Sequence, residues 1–115
     1  MRVSIQDPPQ HQLDALLEYY QNGQFAEAEL LAISITNKFP KNQFGWKVLG
    51  AVLWQTGRYY ESVSPLQNAV LLYPKDAAAH YNLGVSLKEI GRIEEAETSY
   101  KKAIEIKPDY PEANN

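Results

Sequence analysis

Apolar and small residues at Trp46, Leu49, Gly50 and Leu53 fall at i, i+3, i+4 and i+7, the spacing of one helix face. The stripe stops at Thr56-Gly57. Glycine accepts the left-handed backbone at a helix C-terminus that other residues resist, so Gly57 reads as a stop. A second stripe, Tyr59, Ser62, Leu66 and Ala69, follows at once and closes at Pro74. The stretch therefore predicts two helices joined by a tight turn.

The pattern repeats. "LGAVLWQTGR" starts at Leu49 and "LGVSLKEIGR" starts at Leu83, 34 positions later. The same offset carries Gly57 to Gly91, Glu61 to Glu95, Ala69 to Ala103 and Pro74 to Pro108. In the other direction it carries Gly57 to Gly23 and Pro74 to Pro40. The third unit has His80, Leu83, Gly84 and Leu87 on its first stripe, then Ile93, Ala96, Tyr100 and Ala103 on its second. Punctuation in register three times over predicts a stack of three helical hairpins.

Local signals fit that plan. Asn42 and Asp76 precede first helices, where a short side-chain oxygen caps free backbone N–H groups. Asp7 followed by Pro8 and Pro9 reads as a similar start one unit earlier. Gly50, Gly84, Ala28, Ala69, Ala96 and Ala103 are small enough to let helices approach closely. Glu94 and Glu95 open the last helix and Lys107 lies at its end, as the helix dipole favours. Glu97 and Lys101 are spaced to pair at i, i+4. Pro65 is the discordant residue. It fits the first turn of a helix that starts near Tyr60 or Glu61, and an earlier start predicts a kink.

Composition narrows the chemistry. The 115 residues suit one domain, and a net charge of −3 without a Lys/Arg stripe argues against a phosphate-binding, nucleic-acid surface. No cysteine is present, which removes thiolate nucleophiles and Cys-based zinc sites. No apolar run approaches the roughly 18 residues a membrane helix needs. With no signal-peptide stretch in "MRVSIQDPPQ", a cytoplasmic protein without membrane partners is expected. The two histidines, His11 and His80, have no matched ligand spacing, and His80 takes the slot of Trp46, where packing is the expected role. No HExxH helix, phosphate-binding glycine loop or serine elbow occurs. The "IEEAE" carboxylates read as a solvated helix surface. No catalytic, metal or cofactor-binding residue is therefore expected, and no enzyme activity of the chain itself.

These residues resemble the tetratricopeptide repeat family. The 34-residue period matches, as does the order of a large residue, Leu-Gly, an apolar residue, a turn glycine, Ala, an aromatic, Ala and a closing proline. The second and third units match best. The first, with Gln12, Ala15, Leu16, Tyr19, Gly23, Phe25, Ala28, Ala32, Ile35 and Pro40, lacks the Leu-Gly pair, as an end repeat does. The resemblance implies an all-α, right-handed α-solenoid of three helix-turn-helix repeats at 9–42, 43–76 and 77–110. An arm at 1–8 precedes them and a stub of a fourth repeat follows at 111–115. The ending "DYPEANN" resembles the start of a further first helix, so the chain reads as an N-terminal segment of a larger, bacterial-type protein.

In this family the first helix of each repeat lines a concave face that receives a peptide or partner helix. That implies a non-catalytic protein-interaction scaffold with Tyr20, Phe44, Lys47, Trp54, Tyr81, Asn82, Val85 and Lys88 on the binding face. Trp54 and Tyr81 are the expected anchors. Phe44 and Trp54 have an equal claim to packing against neighbouring repeats. The subclass that clamps an acidic chaperone tail needs Lys, Asn and Arg where this chain has Leu13, Leu17, Val48, Ala78 and Asn82, so that ligand is not expected. Two alternatives stay open. One is a substrate-docking or regulatory segment of a larger enzyme, such as a transferase. The other is self-association into a homo-oligomer through the uncapped C-terminal repeat, with Tyr100, Ile104 and Ile106 partly bare.

Overall fold

In the computed structural model, which describes residues 7–110, six helices follow one another: α1 (Gln10–Gln21), α2 (Phe25–Lys38), α3 (Gln43–Gln55), α4 (Tyr59–Leu72), α5 (Ala77–Glu89) and α6 (Ile93–Ile106). No strand occurs among the described residues. Each helix packs on its neighbours in sequence, and α1, α3 and α5 also touch in succession. The result is an elongated all-α solenoid of hairpins measuring 48 × 31 × 24 Å. The expected stub at 111–115 and residues 1–6 of the expected arm lie outside the described residues.

The three hairpin turns are built alike. Gly23, Gly57 and Gly91 have φ of 74°, 79° and 89°. Each glycine N–H bonds back to the carbonyl three residues earlier (Tyr20, Trp54 and Lys88), and the next N–H reaches Tyr19, Leu53 and Leu87 at 2.8 Å. This is the Schellman ending, which satisfies helix carbonyls that would otherwise be orphaned. A Cβ at any of these glycines would meet nothing within 4 Å. Backbone conformation, not space, demands glycine there.

Gly50 and Gly84 act differently. A Cβ on Gly50 would lie 2.5 Å from Leu66 Cγ, and one on Gly84 would lie 2.9 Å from the Tyr100 ring. The missing side chain lets the two helices of a hairpin close on each other.

Asn42 Oδ1 accepts the Gly45 N–H and Asp76 Oδ1 accepts the Ala79 N–H, both at 3.2 Å. Asp7 caps nothing. Pro9 holds the cap position of α1 without a side-chain hydrogen bond, because two prolines separate Asp7 from the helix. Helix α4 starts at Tyr59, which puts Pro65 past the first turn, yet α4 runs unbroken to Leu72 with Pro65 buried. Among the described residues the ion pair on α6 is Lys102–Glu105 at 3.7 Å rather than Glu97–Lys101.

Two apolar clusters hold the stack. Leu16, Ala28, Ala32, Ile35, Val48, Leu49, Val52 and Leu53 join the first and second hairpins, with Phe39, Phe44 and Trp46 packed around them. Val63, Leu66, Leu83, Leu87 and Ala96 join the second and third, with Val70, Ile90 and Tyr100.

Candidate functional site

The faces of α1, α3 and α5 that are free of their second helices line one depression of about 260 Å³. Leu17 and Tyr20 come from α1, Phe44, Lys47, Val48 and Ala51 from α3, and Ala78 and Asn82 from α5. The 34-residue register puts these side chains together, since one stripe of each first helix faces the same way.

Four of the residues expected on the binding face meet here: Tyr20, Phe44, Lys47 and Asn82. Phe44 is half-buried and also packs on the first apolar cluster. The Tyr20 ring lies 5.8 Å from Phe25, and its hydroxyl accepts a hydrogen bond from Gln55 Nε2 at 3.5 Å.

The other four do not line this depression. Trp54 is half-buried, and its indole N–H is enclosed without a hydrogen-bond partner. Tyr81 is half-buried, with the Tyr100 and Tyr110 rings at 5.8 and 5.4 Å. Val85 is half-buried, and Lys88 is exposed in the last turn of α5.

The charge in the groove is balanced from within. Lys47 Nζ lies 2.8 Å from Asp76 Oδ2, which also accepts from Gln43 Nε2 at 3.0 Å. The Asp76 side chain is 10% exposed. Burial alone would raise its pKa. The Lys47 ammonium, the Ala79 N–H and the Gln43 amide outweigh that and hold the carboxyl below its usual range.

Sequence reasoning missed two devices beside the groove. Trp46 Nε1–H donates to the Pro40 carbonyl at 2.8 Å, and His80 Nε2 lies 2.8 Å from the Pro74 carbonyl. The two rings sit in one register slot, six residues after each closing proline. Hydrogen bonding explains why Trp and His interchange there: each has a ring N–H for the same carbonyl. The second device is an arginine after two of the three turn glycines, Gly57 and Gly91. Arg58 grips Glu61 with two nitrogens and reaches Glu29 of α2 at 2.8 Å, while Arg92 grips Glu95. The hydrogen bonds from Arg58 and Arg92 lower the Glu61 and Glu95 pKa values. The signal was present as Gly-Arg followed three residues later by Glu, twice.

Among the described residues, no group of three His, Cys, Asp or Glu could hold a metal ion. No described helix is long and apolar enough to cross a membrane. A wider depression, about 460 Å³, lies between α1 and α2, lined by His11, Gln12, Ala15 and Tyr19 on one side and Glu27, Leu30, Leu31 and Ser34 on the other.

Hairpins stacked in a fixed register, with their first helices sharing a lined face, define a helical-repeat solenoid. The profile of the tetratricopeptide repeat matches residues 77–110, and the chain belongs to that family. It is 33% identical over 61 residues to the TPR repeat-containing protein MJ1428 of Methanocaldococcus jannaschii, covering 53% of this chain and 11% of that one. It is 37% identical over 65 residues to a Plasmodium falciparum Hsp70-Hsp90 organising protein, covering 56% and 26%. The fold matches the first TPR of Spaghetti (RPAP3) bound to an HSP90 peptide, with TM-score 0.88 and 20% identity over 97% of this chain and 91% of that one. The chain thus spans only 11% and 26% of the lengths of these two curated relatives.

Proposed function

We propose that the chain is a non-catalytic interaction module that seats a segment of a partner protein, a peptide or a helix, against the first-helix face. The groove carries this reading: three helices from three hairpins contribute apolar side chains to one concavity, with Leu17 40% exposed at its edge. Apolar surface kept open to water costs free energy that a partner recovers by covering it. The Spaghetti repeat, which shares the fold, holds a peptide in its structure, so the architecture admits such an occupant. The test is peptide selection from a random library, followed by Leu17→Asp. Selected peptides should lose at least tenfold in affinity while helical circular dichroism is kept. Unchanged affinity would place the binding surface elsewhere.

A second reading, self-association, is favoured by Leu30, which is 72% exposed beside the α1–α2 depression. Tyr100, Ile104 and Ile106, the residues expected to drive it, are half-buried. Light scattering at high concentration separates the readings. A dimer that Leu30→Glu dissolves supports self-association, and a monomer throughout removes it.

A further inference from the structure

Among the described residues Lys47 is the only cation lining the groove, and its charge is already matched by a neighbour. Its ammonium lies 2.8 Å from Asp76 Oδ2. Asp76 is not free to swing away. One oxygen caps α5 through the Ala79 N–H and the other accepts from Gln43, with the side chain 10% exposed. The rest of the described lining is Leu17, Tyr20, Phe44, Val48, Ala51, Ala78 and Asn82, all uncharged.

We propose that the groove selects uncharged, apolar protein segments and that Asp76 enforces the choice by pairing with Lys47. This rests on the groove being the binding surface. A carboxylate entering the site would leave water, meet a lysine whose charge is already matched, and face the Asp76 carboxylate behind it. Burying a charge without a free partner is costly. An apolar segment meets no such penalty and covers Leu17, Val48 and Ala78. The register sharpens the point. The places of Lys47 and Asp76 are taken by Leu13 and Asn42 one repeat earlier, and by the touching, mutually tilted rings of Tyr81 and Tyr110 one repeat later. All three slots are neutral overall, and only the middle one reaches neutrality by pairing charges.

The experiment uses two synthetic peptides of equal length with the same apolar core, labelled with an uncharged dye and followed by fluorescence anisotropy. One is acetylated and amidated. The other ends in two aspartates with a free carboxylate. The protein should bind the uncharged peptide about tenfold more tightly, the scale of one partly screened charge contact. Asp76→Asn keeps a capping side chain of the kind Asn42 supplies. It should tighten the acidic peptide about tenfold and leave the uncharged one within about twofold. The double variant Lys47→Gln with Asp76→Asn should return to the original preference. Equal or tighter acidic binding by the unaltered protein would overturn the proposal, as would an unchanged ratio in Asp76→Asn, or no binding of either peptide. Leu17→Asp separates the two levels. If uncharged-peptide binding survives it, the groove reading itself fails. If Leu17→Asp abolishes binding but Asp76→Asn leaves the ratio unchanged, charge selection alone fails.

Discussion

The junction between the first and second hairpins and the junction between the second and third share one plan but are filled differently. At the first, Ile35 is fully buried and presses on Gly45, where a Cβ would lie 2.9 Å from Ile35 Cγ2. At the second, the corresponding positions are Ala69 and Ala79, both 0% exposed. A large residue against glycine and alanine against alanine fill a similar volume by opposite routes. The second junction also holds a polar contact. Ser62 donates to the Tyr59 carbonyl at 2.7 Å, and its oxygen lies 2.6 Å from that of Ser86, with both side chains buried. In the first hairpin the place of Ser62 is taken by Ala28. Both junctions carry polar contacts at their surface, Arg58–Glu29 and Gln55–Tyr20 at the first and Lys47–Asp76 at the second; the second adds the buried Ser62–Ser86 hydroxyl pair. One backbone plan thus tolerates two chemistries, with different responses to mutation and pH.

The strongest challenge to this comparison is Ile35→Ala. It should cost about 3 kcal/mol in urea unfolding, as other buried truncations do. Gly45→Ala alone should cost about 2 kcal/mol by overpacking. Together they recreate the alanine pair of the second junction, so the double variant should be at least 1 kcal/mol more stable than the sum predicts, by about the coupling seen between touching residues. Simple additivity would show that the two positions do not exchange volume.

Gly50→Ala and Gly84→Ala probe the closeness of each hairpin. Leu66 is fully buried and cannot yield, so Gly50→Ala should cost about 2 kcal/mol. The Tyr100 ring is only half-buried and can swing, so Gly84→Ala should cost less. The reverse order of thermal midpoints would contradict this.

Ser62→Ala removes the acceptor for Ser86 and leaves a buried hydroxyl unpaired, at about 1–2 kcal/mol. Adding Ser86→Ala should recover most of that loss. A double variant as unstable as the single one would show that the hydroxyl pair is not what holds the second junction.

The smallest effect is on pH. The folded Asp76 carboxyl has a lowered pKa, so its contribution is fully present above the unfolded value of about 4 and fades as pH falls through the folded value. Glu61 and Glu95 shift in the same direction. The thermal midpoint should drop below about pH 4, and less steeply in Asp76→Asn. Identical acid profiles would remove Asp76 from the account.

Sequence carried the local architecture well because its signals lie within one turn of helix. Gly23, Gly57 and Gly91, the caps Asn42 and Asp76, and the first-helix stripes needed only spacing to be read. What required tertiary stacking was hidden. Lys47 and Asp76 are far apart in sequence and meet only because α3 and α5 lie side by side. Trp46 and His80 look unlike by hydropathy, and their common role appears only once the Pro40 and Pro74 carbonyls are in place. Tyr81 is an expected anchor, and nothing local to it in sequence announces the Tyr100 and Tyr110 rings beside it. Pro65 shows propensity overridden: burial in α4 outweighs the lost hydrogen bond.

The central claim is that the first-helix groove is where partners bind. The direct measurement is a titration of ¹⁵N-labelled protein with an uncharged apolar peptide, followed by amide chemical shifts. The account predicts that the largest changes gather at Leu17, Phe44, Val48, Ala51, Ala78 and Asn82. Changes centred on Ala15, Leu30 and Ser34, or scattered without a centre, would contradict it.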